Sequence, residues 1–164
     1  MSGRPSALDR AALPPRPAWG RLLALAERAE VLATAEALQA EVRIEPLAPP
    51  ESGLVLLALR DSVAGTAFHV GEMPAARVAL RIRTADGRTA EGGAIVQGED
   101  LKLAQAIALL DAVLAHGLPG AERVAALLAE GARRAAAIEQ RRALLRARTR
   151  LDFTAFADLA GDPE

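Results

Sequence analysis

The chain has 164 residues, half of them apolar, and a formal net charge of −1; that is enough for one domain with a real core. It has no cysteine and two histidines, which excludes disulfides, thiol nucleophiles and Cys-ligated metals and makes a His-based metal site improbable. Three phenylalanines, one tryptophan, no tyrosine and a near-neutral charge argue against base-stacking or phosphate-tracking nucleic-acid binding.

Residues 1–18 mix Arg, Asp and Pro without a continuous apolar run, so they are expected to form a flexible proline-rich arm and not a secretory signal. Residues 19–164 are expected to form one domain. No apolar run reaches the roughly 20 residues a membrane helix needs, and a soluble cytoplasmic protein is expected.

A first helix is predicted over Trp19–Ala40, with Leu22, Leu25, Ala26, Ala29, Leu32 and Ala35 in one stripe. Val42–Glu45 alternates as a short strand. After the breaker "PLAPPES", Gly53–Arg60 ("GLVLLALR") reads as a buried strand. "DSVAG" is a turn and "TAFHVGE" a further strand, which Met73-Pro74 is expected to interrupt, because proline brings no N–H to a ladder.

Arg77–Thr84 alternates cleanly, Val78, Leu80 and Ile82 facing one way and Arg77, Ala79, Arg81 and Arg83 the other. Asp86-Gly87 signals a hairpin, with the return strand at about Gly92–Gly98. A helix follows from Asp100, its N-cap, to His116, with Glu99 adding favourable charge and "HGLPG" ending it. The last helix runs from about Ala121 to Arg148, with Gly131 a weak point, and an acidic tail with two phenylalanines follows. The order predicts an α+β fold: an antiparallel sheet of about four to five strands packed against helices.

His69 and Glu72 are the first candidates for acid–base chemistry. Residues i and i+3 of a regular strand point to opposite faces, so only a bend at Gly71 brings them together; the plainer reading is a strand edge turning at Gly71 and Pro74.

The second candidate is basic. Residues 131–150 carry seven arginines and one glutamate, and Arg134, Arg141 and Arg148 recur every seven residues beside Leu127, Ile138 and Leu145. That pattern is either a solvated helix face or a surface for a partner protein or an anion. "VQGED" leads Gly98 into a helix N-terminus, a phosphate-binding geometry, but Glu99 and Asp100 would repel an anion, so capping is the better account. No P-loop, dinucleotide fingerprint, nucleophile elbow or other catalytic constellation emerges, and no cofactor or metal is called for.

Several segments, in order, resemble the PhnG family, a subunit of the carbon–phosphorus lyase system for phosphonate breakdown. "WGRLLALA", "ESGLVLLALR", "AGTAFHVGEMPAARVALRI", "DGR", "VQGED", "ALLDAVLA" and "RTRLDF" carry the resemblance over about Trp19 to Phe156. It implies a non-catalytic subunit that assembles with PhnH, PhnI and PhnJ. That complex, with PhnL, replaces adenine on ATP with an alkylphosphonate to give a ribose 1-phosphonate 5-triphosphate. The nucleosidase-like chemistry is associated with PhnI and the radical cleavage with PhnJ.

By position, Gly71, Glu72, Arg77, Gly98 and Asp100 match family motifs. This sequence departs from the family pattern at Ser62-Val63, where glycines are usual, at Glu99 in place of arginine, at Leu103 in place of histidine, and in its closing segment, which lacks the family's arginine. The alternative is a stand-alone homo-oligomeric module that binds a nucleotide or phosphonate on the arginine flank. A third reading is an autonomous hydrolase using Glu72, Asp100 or His69.

Overall fold

The computed structural model describes residues 10–148. The elements are α1 (Trp19–Leu25), α2 (Arg28–Gln39), β1 (Val42–Pro46), β2 (Glu51–Arg60), β3 (Ala67–Thr84), β4 (Thr89–Gln97), α3 (Leu101–His116) and α4 (Ala121–Arg148), preceded by two short 3-10 turns at Arg10–Ala12 and Arg16–Ala18. The four strands form one antiparallel sheet against which the helices pack, the α+β fold expected.

β3 organises the sheet. Its C-terminal half pairs with β1 on one side and β4 on the other, and its N-terminal half pairs with β2. β1 and β2 therefore follow one another along the same side of β3. Above Ala75, β4 has ended, so Leu54–Arg60 and Ala67–Pro74 form a two-stranded ribbon beyond the sheet body.

The alternation read in Arg77–Thr84 holds: Val78, Leu80 and Ile82 are buried against α3. α3 is the most enclosed element, from Ala104 to Leu114 almost without relief, and α1, α2 and α4 pack around it. Asp100 caps its start by accepting from the Leu103 N–H at 2.9 Å, and Gly117, in the left-handed region at φ 60°, ends it.

Four expectations need correcting. The first helix is two, since Ala26 is extended (ψ 173°) and splits Trp19–Ala40 into α1 and α2. The chain turns there so that Leu22 and Leu23 on one side, and Val31, Ala35 and Leu38 on the other, all reach one core.

β2 is not buried; every residue of it is exposed, because its apolar run lies on the ribbon and not over α3.

Met73-Pro74 does not interrupt β3. Residues with even numbers here turn their backbone groups toward β4, and β4 ends just short of Pro74, so the missing N–H falls on a free edge. The Pro74 carbonyl still accepts from the Gly98 N–H at 2.8 Å. Two predicted strands are therefore one, which leaves four among the described residues.

Gly131 is no weak point, and α4 runs through it. It is buried, and a Cβ there would collide with the Leu22 backbone oxygen, so the glycine sets how closely α4 crosses α1.

The chain before α1 also contributes. Arg16 donates to both Asp111 oxygens, at 3.1 and 2.8 Å, and to the Glu91 carbonyl, while Asp111 accepts from the Gly93 N–H. The two side chains thus occupy hydrogen-bonding positions on the outer edge of β4 that a further strand would use.

Candidate partner-docking surface

The ribbon is apolar on both faces. Leu54 and Leu56 share one face with Pro74 and Glu72; Val55, Leu57 and Leu59 share the other with Met73, Gly71 and Phe68. Leu54 is 64% exposed, Leu59 54% and Phe68 48%. Among the described residues this apolar run packs on its partner strand and is not covered by a helix. The periodicity that implies burial is absent because neither face belongs to this chain's core.

The tip is held by polar contacts. The Asp61 carboxylate accepts from the Val63 and Ala64 N–H groups, and the Arg60 guanidinium donates to the Gly65 carbonyl at 2.7 Å. Gly65 sits at φ 69°, a position a side chain would strain. The backbone hydrogen bonds from Ala64, then Val63, hold the Asp61 carboxyl below its ordinary pKa.

Near the middle of the ribbon the register shifts between Leu57 and Ala58: Leu57 faces Gly71 and Ala58 faces His69, leaving Val70 as a bulge. Gly71 has φ 152°. The shift gives His69 and Glu72 cross-strand partners, Ala58 and Leu56, on the same face of β2. The two are thus brought to one side by the bend, yet both are exposed and no hydrogen bond or ion pair is described between them. They lie on an open ribbon, not in a cleft that excludes water, as an acid–base pair would need.

The other candidates disperse. Arg77 pairs with Glu51 at 2.7 Å at the base of the ribbon, joining β3 to β2 on the sheet's outer face. Gly98, at φ 95°, makes the turn out of β4. Asp100 is committed to capping and to Arg28, which reaches it at 2.7 Å; the Leu103 N–H, then Arg28, holds its carboxyl below the ordinary range. The start of α3 is thereby closed by a carboxylate and not open to an anion.

Arg134 works inside the molecule. It donates to the Leu25 carbonyl at the end of α1 and pairs with Glu27 and Glu130, bracing the corner where the first helix breaks. Arg141 and Arg148 stand on the last part of α4, which is exposed throughout from Ala136, including Ile138 and Leu145. The seven-residue recurrence is real, but it runs from a braced corner into solvent.

Between α1, β4 and α4 lies an open groove of about 1000 Å³, with Ile95, Leu25 and Ile138 among its apolar walls and Arg21 and Arg142 on its rim. Among the described residues, no three His, Cys, Asp or Glu side chains cluster as a metal would require. No single described helix is long and apolar enough to cross a membrane. The acidic tail after Arg148 lies outside the described residues.

The family model for "Phosphonate metabolism protein PhnG" matches residues 14–157. The chain belongs to the PhnG family. It is also 32% identical over 133 residues, 81% of this chain and 82% of the relative, to the alpha-D-ribose 1-methylphosphonate 5-triphosphate synthase subunit PhnG of Rhizobium meliloti (strain 1021).

The PhnG match spans both ribbon strands and the whole of α3 and α4. The family resemblance matched Gly71 and Glu72 by position, but it did not show that they sit on a ribbon beyond the sheet body. The signal available was the apolar, charge-free run of β2 followed by a polar-capped turn.

Proposed function

We propose that this chain is a non-catalytic subunit of a complex that forms a ribose 1-phosphonate 5-triphosphate from ATP and an alkylphosphonate in the cytoplasm. Its partners would be PhnI-, PhnH- and PhnJ-like subunits. The observation that carries the reading is the ribbon, whose two apolar faces need a cover that the described part of the chain does not provide. Membership of a family that includes a named synthase subunit supports it, as does the setting of His69 and Glu72 on an open ribbon and not in a cleft.

The test is size-exclusion chromatography with light scattering on the chain alone and co-produced with its cognate partners. Co-elution at a defined stoichiometry is expected. Separate elution of all components would overturn the proposal.

A second reading, a stand-alone nucleotide- or phosphonate-binding module, draws on the groove edged by Arg21 and Arg142. Micromolar binding of ATP or methylphosphonate to the isolated chain by calorimetry would favour it.

A further inference from the structure

We infer that the β2–β3 ribbon is inserted into a cleft of a different protein chain, which covers both its faces and adds a strand to the free edge of β3 above Pro74. The inference rests on the subunit reading and says which surface does the docking and what kind of partner fits it.

Three observations carry it. The first is the amount of apolar surface. Eight large apolar side chains between Leu54 and Val70 are 38% to 94% exposed. Side chains of that size add up to several hundred Å², close to the ~800 Å² one partner contributes to a standard interface. Soluble monomers seldom leave so much apolar surface contiguous and uncovered.

The second is its distribution over two faces. A second copy of this chain stacked face to face or joined edge to edge buries one face, or adds strands at one edge, and leaves the opposite face in water. Leu56 on one face and Leu57 on the other are both satisfied only by a cleft with two walls. A partner of different shape supplies that; a second copy stacked face to face or joined edge to edge does not.

The third is the edge. β4 occupies the side of β3 only up to Ala75, and the backbone of Glu72 turns toward that same side. By contrast, Arg16 and Asp111 occupy the outer edge of β4 at Glu91 and Gly93. The outer edge of β4 is blocked at Glu91 and Gly93 by side chains, while β3 above Pro74 has no strand on that side among the described residues, which suits strand addition by a partner. Glu72 is the single carboxylate on the ribbon between Pro74 and the tip, so the partner's strand would carry a cation near it.

The ribbon is prepared for this. Asp61, Arg60 and Gly65 fix the tip, so little ordering is left to lose on docking.

The experiment co-produces the full chain with its PhnI-, PhnH- and PhnJ-like partners and measures recovered complex for the unaltered chain and for Leu56→Asp, Leu57→Asp, Glu72→Gln and Glu72→Pro. The thermal midpoint of each free chain is measured alongside, and it should stay within a few degrees because these residues lie outside the core.

Both aspartate variants are expected to cut complex recovery at least tenfold. Glu72→Pro, which removes an edge N–H as well as the charge, should cut it more than Glu72→Gln. If the unaltered chain assembles and either face tolerates aspartate, the two-walled cleft is wrong while the subunit reading stands. If the two Glu72 variants behave alike, the added strand is wrong. Should the unaltered chain fail to assemble, the subunit reading falls and this inference with it.

Discussion

Arg16 and Asp111, 95 positions apart, meet at 2.8 Å on the outer edge of β4, where one donates to the Glu91 carbonyl and the other accepts from the Gly93 N–H. The Asp111 side chain is only 10% exposed and the Arg16 side chain 51%, so the carboxylate is the partner that depends on the pair. Replacing Asp111 with Ala leaves the Gly93 N–H and the guanidinium without it. We expect a loss of about 2 kcal/mol in urea unfolding, and about 1 kcal/mol for Arg16→Ala, whose Asp111 partner keeps the Gly93 bond.

Two helical glycines should respond in opposite directions. At Gly131 a methyl group would strike the Leu22 backbone oxygen, and backbone cannot swing aside; Gly131→Ala should cost about 2–3 kcal/mol. Gly20, in α1, has open space around the same position, so Gly20→Ala should stabilise by about 0.5–1 kcal/mol. Thermal melts of the two variants check this side by side.

The helix pattern of α3 and of the first half of α4, and the alternation of β3 below Pro74, were legible because the apolar residues there answer to one core. Three features were not. The Ala26 break follows no local signal; it is imposed by the need of two apolar faces to reach α3 and is braced by Arg134, more than a hundred residues away. Pro74 looked like a stop because its neighbour on the sheet cannot be read from sequence, and proline is tolerated where that neighbouring strand ends. The β2 run looked buried because a continuous apolar run reads as core, whereas this one lies on a ribbon that extends past the described helices. The site residues Glu72 and Arg77 were found as motif positions, but their setting at the middle and base of a ribbon depends on the end of β4.

Arg134 and Arg141 should separate by function although they belong to one heptad-spaced series. Arg134→Ala removes contacts to Leu25, Glu27 and Glu130 and should lower stability by about 1 kcal/mol. Arg141, on the exposed end of α4, should leave the unfolding midpoint unchanged within error when replaced by alanine. Denaturant titration of both variants distinguishes them.

Acid should act on the tip and on the start of α3. The Asp61 and Asp100 carboxyls are both held below their ordinary value by backbone N–H groups, so each contributes stability above the unfolded pKa, near 3.9, that is lost as pH falls through the lower folded value. Stability should therefore be level through neutral pH and fall below about pH 4. Asp61→Asn and Asp100→Asn should each flatten part of that fall, read from unfolding midpoints across an acid series.

β3 crosses from one regime to another within 18 residues. Below Pro74 its side chains are held in register by α3, and a substitution there is judged by this chain's own folding. Above Pro74 no described helix packs over its side chains, and a substitution there leaves the described core untouched. The two halves are therefore free to drift at different rates, and a ribbon cut at Ser52 and Ala76 is a unit that can be moved between relatives without repacking the body.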